Sequence, residues 1–387
     1  KRAELCLFLC GAEGPEASGT KDSNTAWLRL LLSGSLGLAE AYMAGEVDSP
    51  DLTTFLVIML LAENRAATAW TKRTTYGAFF RWSVVFGPAL LLLRKAHGVA
   101  AARLNAVRHY SLSNALFSAF RDETMTYSCP LWREPVGGPA ATQDGPEKTV
   151  DRHDADGDGG GDDDDTLEEA QERKLRHIVR AARIKSTEHV LEVSGGWGSF
   201  AILAARETGC RVATITPSEE QTPLMIRERV AAAVSSLSPG QVRVLVCDYR
   251  DVLSALAATT KPAATKFDKI VSIEMLEHVG HECLETYFRC VDRYLQDGPE
   301  GIAAFRSITM SDAHYDAYLR GAGGVGSRKT RGGMSKEEIE VFRRKWVYYF
   351  ASGEAAFRTK SIGDVIITVG RDGCVEFLQD PLQNASP

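Results

Sequence analysis

This sequence has few cysteines, no long apolar run and only a small net charge. Its 387 residues include eight cysteines, and no two of them have the Cys-x-x-Cys spacing that structural zinc sites prefer. We therefore expect neither a disulfide scaffold nor a metal centre. We expect the protein to work in a reducing compartment. The formal net charge of −6 gives no overall electrostatic reason to bind nucleic acid, so we expect no such partner.

No apolar stretch is long enough to cross a membrane. The longest, residues 79–93, contains Arg81 and Pro88 and is shorter than the roughly 20 residues that span a bilayer. We therefore expect a cytoplasmic protein that associates with a membrane peripherally, and the first residue, Lys1, indicates a fragment or a processed piece. Aromatic and basic residues of the N-terminal helices are expected to dock on the membrane: Phe79, Phe80, Trp82, Phe86, Arg73, Arg81 and Arg94.

The N-terminal part of the chain has helical apolar patterns. An apolar stripe begins at Asn24 and is broken over residues 34–37, and a further helix is indicated at residues 52–61. Near the other end, residues 336–357 also predict a helix. Four of its aromatic residues have helical spacing and are expected in the core: Trp346, Tyr349, Phe350 and Phe357.

A Gly-, Pro- and Asp-rich segment, residues 137–166, interrupts the chain and is expected to be disordered. It admits a second interpretation, because five residues match positions 1, 3, 5, 6 and 12 of a calcium loop: Asp154, Asp156, Asp158, Gly159 and Asp165. Gly161 stands where such loops have an apolar residue, and no helical pattern precedes the segment. A chance match in an Asp-rich tract is the preferred interpretation.

From Leu167 onwards, short apolar runs alternate with amphipathic stretches. The runs predict strands at residues 189–193, 211–216, 242–247, 269–273 and 302–308. The amphipathic stretches predict helices at residues 167–182, 200–208, 218–234 and 282–295. This alternation predicts an α/β fold with a doubly wound, mostly parallel sheet, whose ligand site lies beyond the carboxyl ends of the strands.

A glycine-rich turn follows the first predicted strand. A dinucleotide fingerprint requires three glycines there, and only Gly196 fits. The spacing of Glu192, Ser194, Gly196 and Gly198 suits the turn that binds S-adenosylmethionine (SAM) better, with small residues where the methionine moiety passes. A plain tight turn between strand and helix is the alternative interpretation.

Polar residues also follow two other predicted strands. Thr216 and Gln221 suit a cofactor site, although the spacing of Ser218 and Gln221 is also that of a helix capping box. Glu277 and His278 follow the fourth strand, where a doubly wound sheet places its chemistry. Glu274, in the same segment, is accounted for by an ordinary surface loop.

Six phrases of this sequence occur in the order of one enzyme family. They are residues 34–43, 109–114, 125–129, 192–198, 272–280 and 307–310. The chain resembles the cyclopropane fatty acyl phospholipid synthases and mycolic acid cyclopropane synthases, which are SAM-dependent methyltransferases. The likeness covers most of residues 25–320 and resumes in residues 336–357 and 362–364.

The resemblance implies that a methyl group passes from SAM to the cis double bond of an unsaturated phospholipid acyl chain. A cyclopropane ring then forms through a carbocation, with bound bicarbonate as the base. Near that base the resemblance places Cys129, Glu277 and His278. The SAM contacts taken from the turn and the resemblance are Tyr127, Ser128, Glu192, Ser194, Gly195, Gly196, Trp197, Gly198, Thr216, Pro217, Gln221, Tyr249, Arg250 and Ile273.

The expected architecture is a Rossmann-like class I SAM methyltransferase with a small helical N-terminal domain. The expected partners are an unsaturated phospholipid in a membrane surface and, as a candidate, a second copy of the chain. The expected divisions are a lipid-docking domain at residues 1–103, cap helices at 104–136, the acidic insertion at 137–166, the methyltransferase domain at 167–375 and a tail at 376–387.

Three departures from the family pattern stand out. Ser194 and Gly195 replace Gly-Cys, and a serine there would crowd the methionine moiety if its φ is positive. Arg306 replaces a His or Gln near the proposed anion site. Residues 319–335 are short where the family carries a helix and a strand. The alternatives that stay open are methyl-branched products, a sphingolipid substrate, and a catalytically silent protein that binds SAM or lipid.

Overall fold

The computed structural model describes residues 8–9, 23–69, 117–133, 166–217, 228–233, 237–259, 266–310 and 335–374. The chain forms two compact units, described here one at a time. The first comprises residues 1–96, 137–148 and 310–363, and the second comprises residues 97–136, 149–309 and 364–387. Three segments that the sequence analysis singles out lie outside the described residues. They are the acidic segment with its calcium-like pattern, the apolar stretch at residues 79–93, and residues 319–334. The domain boundaries inferred from the sequence stay predictions.

The helices and strands are numbered in chain order. The strands are β1 (Phe8–Leu9), β2 (Val47–Asp48), β3 (His189–Val193), β4 (Arg211–Thr216), β5 (Val242–Val246), β6 (Lys269–Ile273), β7 (Ile302–Met310) and β8 (Ile362–Gly370). The α-helices are α1 (Ser23–Met43), α2 (Leu52–Ala69), α3 (Leu167–Ala181), α4 (Ser199–Thr208), α5 (Val252–Thr259), α6 (Leu284–Tyr294) and α7 (Lys336–Arg358).

A six-stranded sheet in the order β5-β4-β3-β6-β7-β8 organises the second unit. The pairs β5-β4, β4-β3, β3-β6 and β6-β7 are all parallel. Their β-branched and aliphatic residues are buried on both faces, as parallel sheets require. One apolar cluster joins the sheet to α3 and α4, and a second joins it to α5 and α6. Helices therefore cover both faces, and the predicted doubly wound α/β fold is confirmed.

The predicted strands agree closely with the structure. The first four begin and end within one residue of the prediction, and β7 runs two residues further, to Met310. The predicted helix at residues 218–234 is described only over residues 228–233, which are helical. Strand β8 was not predicted. It pairs with β7, and Val365, Ile367 and Val369 along it are 39–44% exposed.

The first unit packs α1, α2 and α7 around a small core. Its buried residues include Ala26, Ala41, Phe55, Ala351 and Ala355. The predicted break in the first helix is a kink at Gly34, whose φ is 55° and ψ −129°, inside a helix that otherwise continues. Among the described helices, none combines the length and hydropathy needed to cross a membrane.

Three of the four aromatic residues of α7 that are expected in the core are exposed, so the expectation is wrong for them, whereas Trp346 is partly buried. Tyr349 is 48% exposed, Phe350 47% and Phe357 36%. The reason is that α7 turns its small residues and Arg344 inwards, while Trp346 contacts Tyr349 and Phe350 on another face. Helical spacing shows that residues share a face, and it does not show which face is buried.

The buried guanidinium of Arg344 holds this unit together. It donates through Nη2 to the Val47 carbonyl at 2.6 Å and through Nε to the Tyr42 carbonyl. It also lies 4.0 Å from the centre of the Tyr42 ring. One side chain therefore joins the end of α1 to β2 through hydrogen bonds to a carbonyl of each.

We predict that Arg344→Met destabilises the chain by about 3 kcal/mol, because two carbonyls each lose a hydrogen bond from a charged donor. The neighbouring Arg343 is the matched control, since its exposed guanidinium pairs with Glu340 on the surface of the same helix, at 2.6 Å. Arg343→Met should leave stability nearly unchanged. Urea unfolding of both variants measures the difference, and equal losses would contradict the assignment.

Candidate active site

The glycine-rich turn after β3 has a backbone that few side chains tolerate. Ser194 has φ 69°, Gly196 has φ 52° and Gly198, the N-cap residue just before α4, has φ 84°. The Gly195 amide donates to the Ile215 carbonyl at 3.0 Å and so fixes the turn to the end of β4. Ser194 therefore occupies the left-handed conformation, which is the condition under which its side chain crowds the space beside the turn.

Gly195 is required by its neighbours. A Cβ at this position would lie 1.7 Å from the Thr214 hydroxyl oxygen and 2.9 Å from Glu192 Oε2. This close packing explains why glycine stands where the family pattern has a cysteine. A Cβ at Gly196, in contrast, would meet no atom of the described residues within 4 Å, so none of them packs against the turn there. The backbone at Gly196 therefore admits the close approach of a ligand such as SAM.

Glu192 is a carboxyl group buried in β3, where it is 3% exposed. Within the described residues, neither its Oε2 nor the nearby Thr214 Oγ1 makes a regular hydrogen bond. Burial raises the pKa of Glu192 to about 7, against a smaller opposing effect of the Thr214 hydroxyl. The sequence-predicted acidic residue is thus close to half-protonated at neutral pH.

Helix α3 holds the loop that contains Ser128. Lys174 Nζ donates to the Ser128 hydroxyl and to Gln171 Oε1, the latter at 2.6 Å, and Gln171 Nε2 donates to the Ser128 carbonyl at 2.8 Å. Lys174 is fully buried, and burial lowers its pKa to about 7. Sequence reasoning missed both residues. The available signal was a lysine within the apolar stripe of an amphipathic helix, beside the buried Leu175 and Ile178.

Cys129 is joined to the end of β6 by a buried carboxylate. Its backbone N–H donates to Glu274 Oε1 at 2.6 Å. The interpretation of Glu274 as a surface-loop residue is wrong, because its side chain is only 12% exposed and burial raises its pKa to about 7. Burial also raises the pKa of the Cys129 thiol to about 11, so the thiol is protonated at neutral pH.

Arg306, on β7, completes a cluster of buried charges. Its Nε donates to Asp364 Oδ2 at 2.6 Å and lies 4.0 Å from Glu274 Oε1. Its side chain is 5% exposed and that of Asp364 is 9% exposed. In the described part of the chain, Arg306 Nη1 and Asp364 Oδ1 are both buried and neither has a hydrogen-bond partner. The cluster therefore offers one free donor and one free acceptor, beside Cys129.

Glu277 and His278 lie in a short 3₁₀ turn, Leu276–His278, beyond β6. The Ser307 hydroxyl donates to Glu277 Oε2 at 2.9 Å, which links this turn to β7 next to Arg306. Partial burial raises the pKa of Glu277, so its carboxyl group is a better proton acceptor than a solvated one. His278 is exposed in the same turn.

The remaining predicted SAM contacts lie at neighbouring strand ends. Thr216, 4% exposed, ends β4, with Pro217 next in the chain, and Ile273 ends β6. Tyr249 and Arg250 follow β5, where the Arg250 guanidinium pairs with Asp248 at 2.6 Å. Gln221 lies outside the described residues. The loop that contains Ser128 and Cys129 contacts the end of β6 through Glu274. The rings of Tyr127 and Trp197 both contact the ring of Phe117. The roles of all these residues in binding SAM stay predictions.

Ser194→Gly should stabilise the chain by about 0.5–1 kcal/mol, because glycine adopts φ 69° without a Cβ penalty. Ser199→Gly is the matched control: Ser199 opens α4 with helical backbone, where glycine should instead destabilise by about 0.5 kcal/mol. Thermal unfolding of both variants gives the two signs. A shared sign would show that the left-handed backbone at Ser194 carries no strain.

Glu192→Gln should stabilise the chain increasingly as pH rises. The folded pKa of Glu192, about 7, lies above its ordinary value of 4.5, so its ionisation opposes folding from about pH 4.5 upwards and fully above pH 7. The variant should gain up to about 3 kcal/mol over the parent across that window. Unfolding at several pH values measures the difference, and a constant difference would contradict the burial of an ionisable Glu192.

Comparisons with known proteins agree with this geometry. The sequence profile of the family described as mycolic acid cyclopropane synthetase matches residues 99–322. The tuberculostearic acid methyltransferase of Mycobacterium tuberculosis is 32% identical over 73% of this chain and 55% of its own length. The cyclopropane-fatty-acyl-phospholipid synthase of Escherichia coli K12 is 31% identical over 75% of this chain and 61% of its own length. The chain thus spans about half the length of these curated relatives.

A solved structure supports the fold independently. Coclaurine N-methyltransferase, bound to N-methylheliamine and S-adenosylhomocysteine (SAH), superimposes with a TM-score of 0.53 at 14% identity. The match covers 86% of this chain and 98% of that one. At this identity the likeness concerns the fold alone. On the match of its sequence to the family profile over more than half its length, the chain belongs to the mycolic acid cyclopropane synthetase family of SAM-dependent methyltransferases.

Proposed function

We propose that this chain transfers a methyl group from SAM to the cis double bond of an unsaturated phospholipid acyl chain and closes a cyclopropane ring. The observation that carries the proposal is the convergence of three motifs at the carboxyl ends of β3, β6 and β7. The glycine-rich turn follows β3, Glu274 joins the Cys129 loop to β6, and Ser307 on β7 bonds to Glu277. Family membership supports the same reaction.

SAM fits the turn after β3. None of the described residues packs against the turn at Gly196, which would let the methionine moiety approach, and Tyr127, Trp197 and Thr216 would line the cofactor. When bound, SAM supplies an electrophilic methyl group on a sulfonium. Trp197, 4% exposed, would keep water from that group. An alkene is a weak nucleophile, so the transfer depends on holding the methyl group in line with the π electrons in a dry site.

Charge in the site suits the cationic course of this reaction. The alkene π electrons form the new C–C bond as the S–C bond breaks, which leaves positive charge on the acyl chain. Glu274 and Glu277 are partly buried carboxyl groups that would stabilise this charge when ionised. Closure of the ring then requires a base that removes one proton from the transferred methyl group.

The surroundings of Arg306 suit a bound bicarbonate by charge, since the buried guanidinium attracts an anion. Arg306 Nη1 and Asp364 Oδ1 have no hydrogen-bond partner among the described residues, and because both atoms are fully buried, the ion would reach them only after a local rearrangement. We propose that Cys129, Glu277 and His278 border the same anion. Arg306 would favour binding of the anion, and the buried setting would keep it basic enough to take the methyl proton.

A methyl-branched product is the second candidate. The relative from Mycobacterium tuberculosis is named for tuberculostearic acid, and the E. coli relative for a cyclopropane product. The two outcomes share the first step and differ in which proton leaves the carbocation. The position of the base decides which proton leaves. Arg306, held between Asp364 and Glu274, carries a fixed positive charge that would help to set where an anionic base lies.

The surroundings of the reaction are part of the same proposal. The substrate would be an unsaturated phospholipid reached from the surface of a membrane, by a cytoplasmic protein that associates peripherally. The aromatic and basic residues predicted to dock there, between positions 73 and 94, lie outside the described residues. Assembly into a homodimer likewise stays a prediction from the sequence.

The decisive test incubates the full chain with methyl-deuterated SAM, bicarbonate and vesicles of cis-unsaturated phospholipid, followed by mass analysis of the acyl chains. We predict a labelled methylene gained, with one methyl deuteron and the double bond lost. A labelled chain that keeps a double bond would favour the methyl-branched route. Folded protein that binds SAM and labels no lipid would overturn the proposal in favour of a silent homologue.

Glu277→Gln should abolish labelling in this assay while leaving SAM affinity within about twofold, because Glu277 is proposed to act on the substrate side of the site. Glu282→Gln is the matched control, since Glu282 is exposed and lies in the next turn. It should label lipid as the parent does. Parallel loss of SAM binding in Glu277→Gln would instead place Glu277 in cofactor binding or folding.

A further inference from the structure

Four aromatic rings surround the guanidinium of Arg121. Its Cζ lies 3.8 Å from the centre of the Trp197 ring, 4.1 Å from Tyr127, 4.3 Å from Phe117 and 5.7 Å from Phe120. Three of the rings come from the segment around Arg121 itself, and Trp197 comes from the glycine-rich turn after β3. Arg121 is thus a cation shared between two segments that the sequence assigns to the SAM site.

The rings are fixed in place around this cation. Phe117 is fully buried, with its ring centre 5.2 Å from that of Trp197 and 5.6 Å from that of Tyr127. Arg121 Nη1 also donates to the Met125 carbonyl at 3.3 Å, and Arg229 Nη1 donates to the Trp197 carbonyl at 3.2 Å. The guanidinium therefore cannot leave the rings without breaking contacts on several sides.

A cation in this position has a direct consequence for the ligand. The faces of aromatic rings attract positive charge, and a guanidinium on those faces uses that attraction. SAM carries a positive sulfonium, whereas SAH, the product, is a neutral thioether at the same place. A fixed charge against Tyr127 and Trp197 repels the sulfonium and has no such effect on the thioether.

We infer that Arg121 sets the discrimination between SAM and SAH, so that the site binds the charged methyl donor less tightly, relative to the neutral product, than it would without this cation. The inference rests on the proposed function, which places SAM against Tyr127 and Trp197.

The test compares three ligands by calorimetry on the full chain: SAM, SAH and sinefungin, an analogue in which a cationic amine stands at the sulfonium position. Arg121→Met removes the charge, and Arg121→Gln removes it while keeping a planar group that can donate to Met125. In both neutral variants the affinities for SAM and sinefungin should rise about fivefold to tenfold relative to the affinity for SAH.

Two control variants separate charge from packing. Arg121→Lys keeps the charge and should keep the parent ratio of SAM to SAH affinities within about twofold. Arg180→Met removes an exposed arginine of α3 and should also leave the ratio unchanged. Either neutral variant, if folded, is sufficient for the comparison.

The outcomes distinguish the inference from the proposal beneath it. If SAM and SAH affinities change by the same factor in both neutral variants, Arg121 acts only on packing and the inference is wrong while the SAM site stands. If the parent chain binds neither SAM nor SAH, the proposed SAM site itself is wrong, and the inference is overturned with it.

Discussion

The hydrogen bond from the Cys129 backbone to the buried Glu274 carboxylate is the contact on which the site depends. It joins a loop from before the sheet domain to the carboxyl end of the central strand β6, across 145 residues of sequence. From the other side, Lys174 and Gln171 of α3 hold Ser128 of the same loop. A loop held at consecutive residues by two separate elements presents Tyr127, Ser128 and Cys129 in one fixed arrangement.

This arrangement requires the burial of charged groups, and the structure compensates for them by mutual pairing. Arg306 bonds to Asp364 and approaches Glu274, while Lys174 and Glu274 both have pKa values near 7. Buried charges in such a cluster cost free energy unless each is paired or neutralised. Arg306 and Asp364 pair with each other, and Lys174 and Glu274 have pKa values near neutral pH. A charged ligand bound nearby would therefore change the protonation of Lys174 and Glu274. The charge of Arg121 is compensated in another way, by the faces of the aromatic rings that surround it next to the proposed SAM site.

The sequence predicts the sheet well because its strands are apolar runs separated by clear turn signals. His189–Val193, Arg211–Thr216 and Lys269–Ile273 appear in the structure with the predicted bounds. Strand β8 is missed although residues 365–369, Val-Ile-Ile-Thr-Val, are all β-branched, which is a signal typical of a strand. Sequence reasoning also fails for the exposed aromatic residues of α7, whose buried face is decided by packing against α1 and α2 rather than by spacing.

Some of the site residues could likewise be predicted from the sequence and others could not. Motif spacing locates the glycine-rich turn and the Glu277–His278 pair, since both follow strands whose ends meet. The only sequence signal for Lys174 is its place inside an apolar stripe, which does not show what it contacts. Glu274 could not be recognised, because a glutamate in a loop becomes functional only through partners far away in sequence.

A crystal structure of the full chain with SAH bound tests the account most directly. We expect SAH to pass Gly196, with its thioether near Tyr127 and Trp197, and the Cys129–Glu274 hydrogen bond to be retained. SAH bound away from the β3 turn, or a Cys129 loop detached from the end of β6, would contradict it.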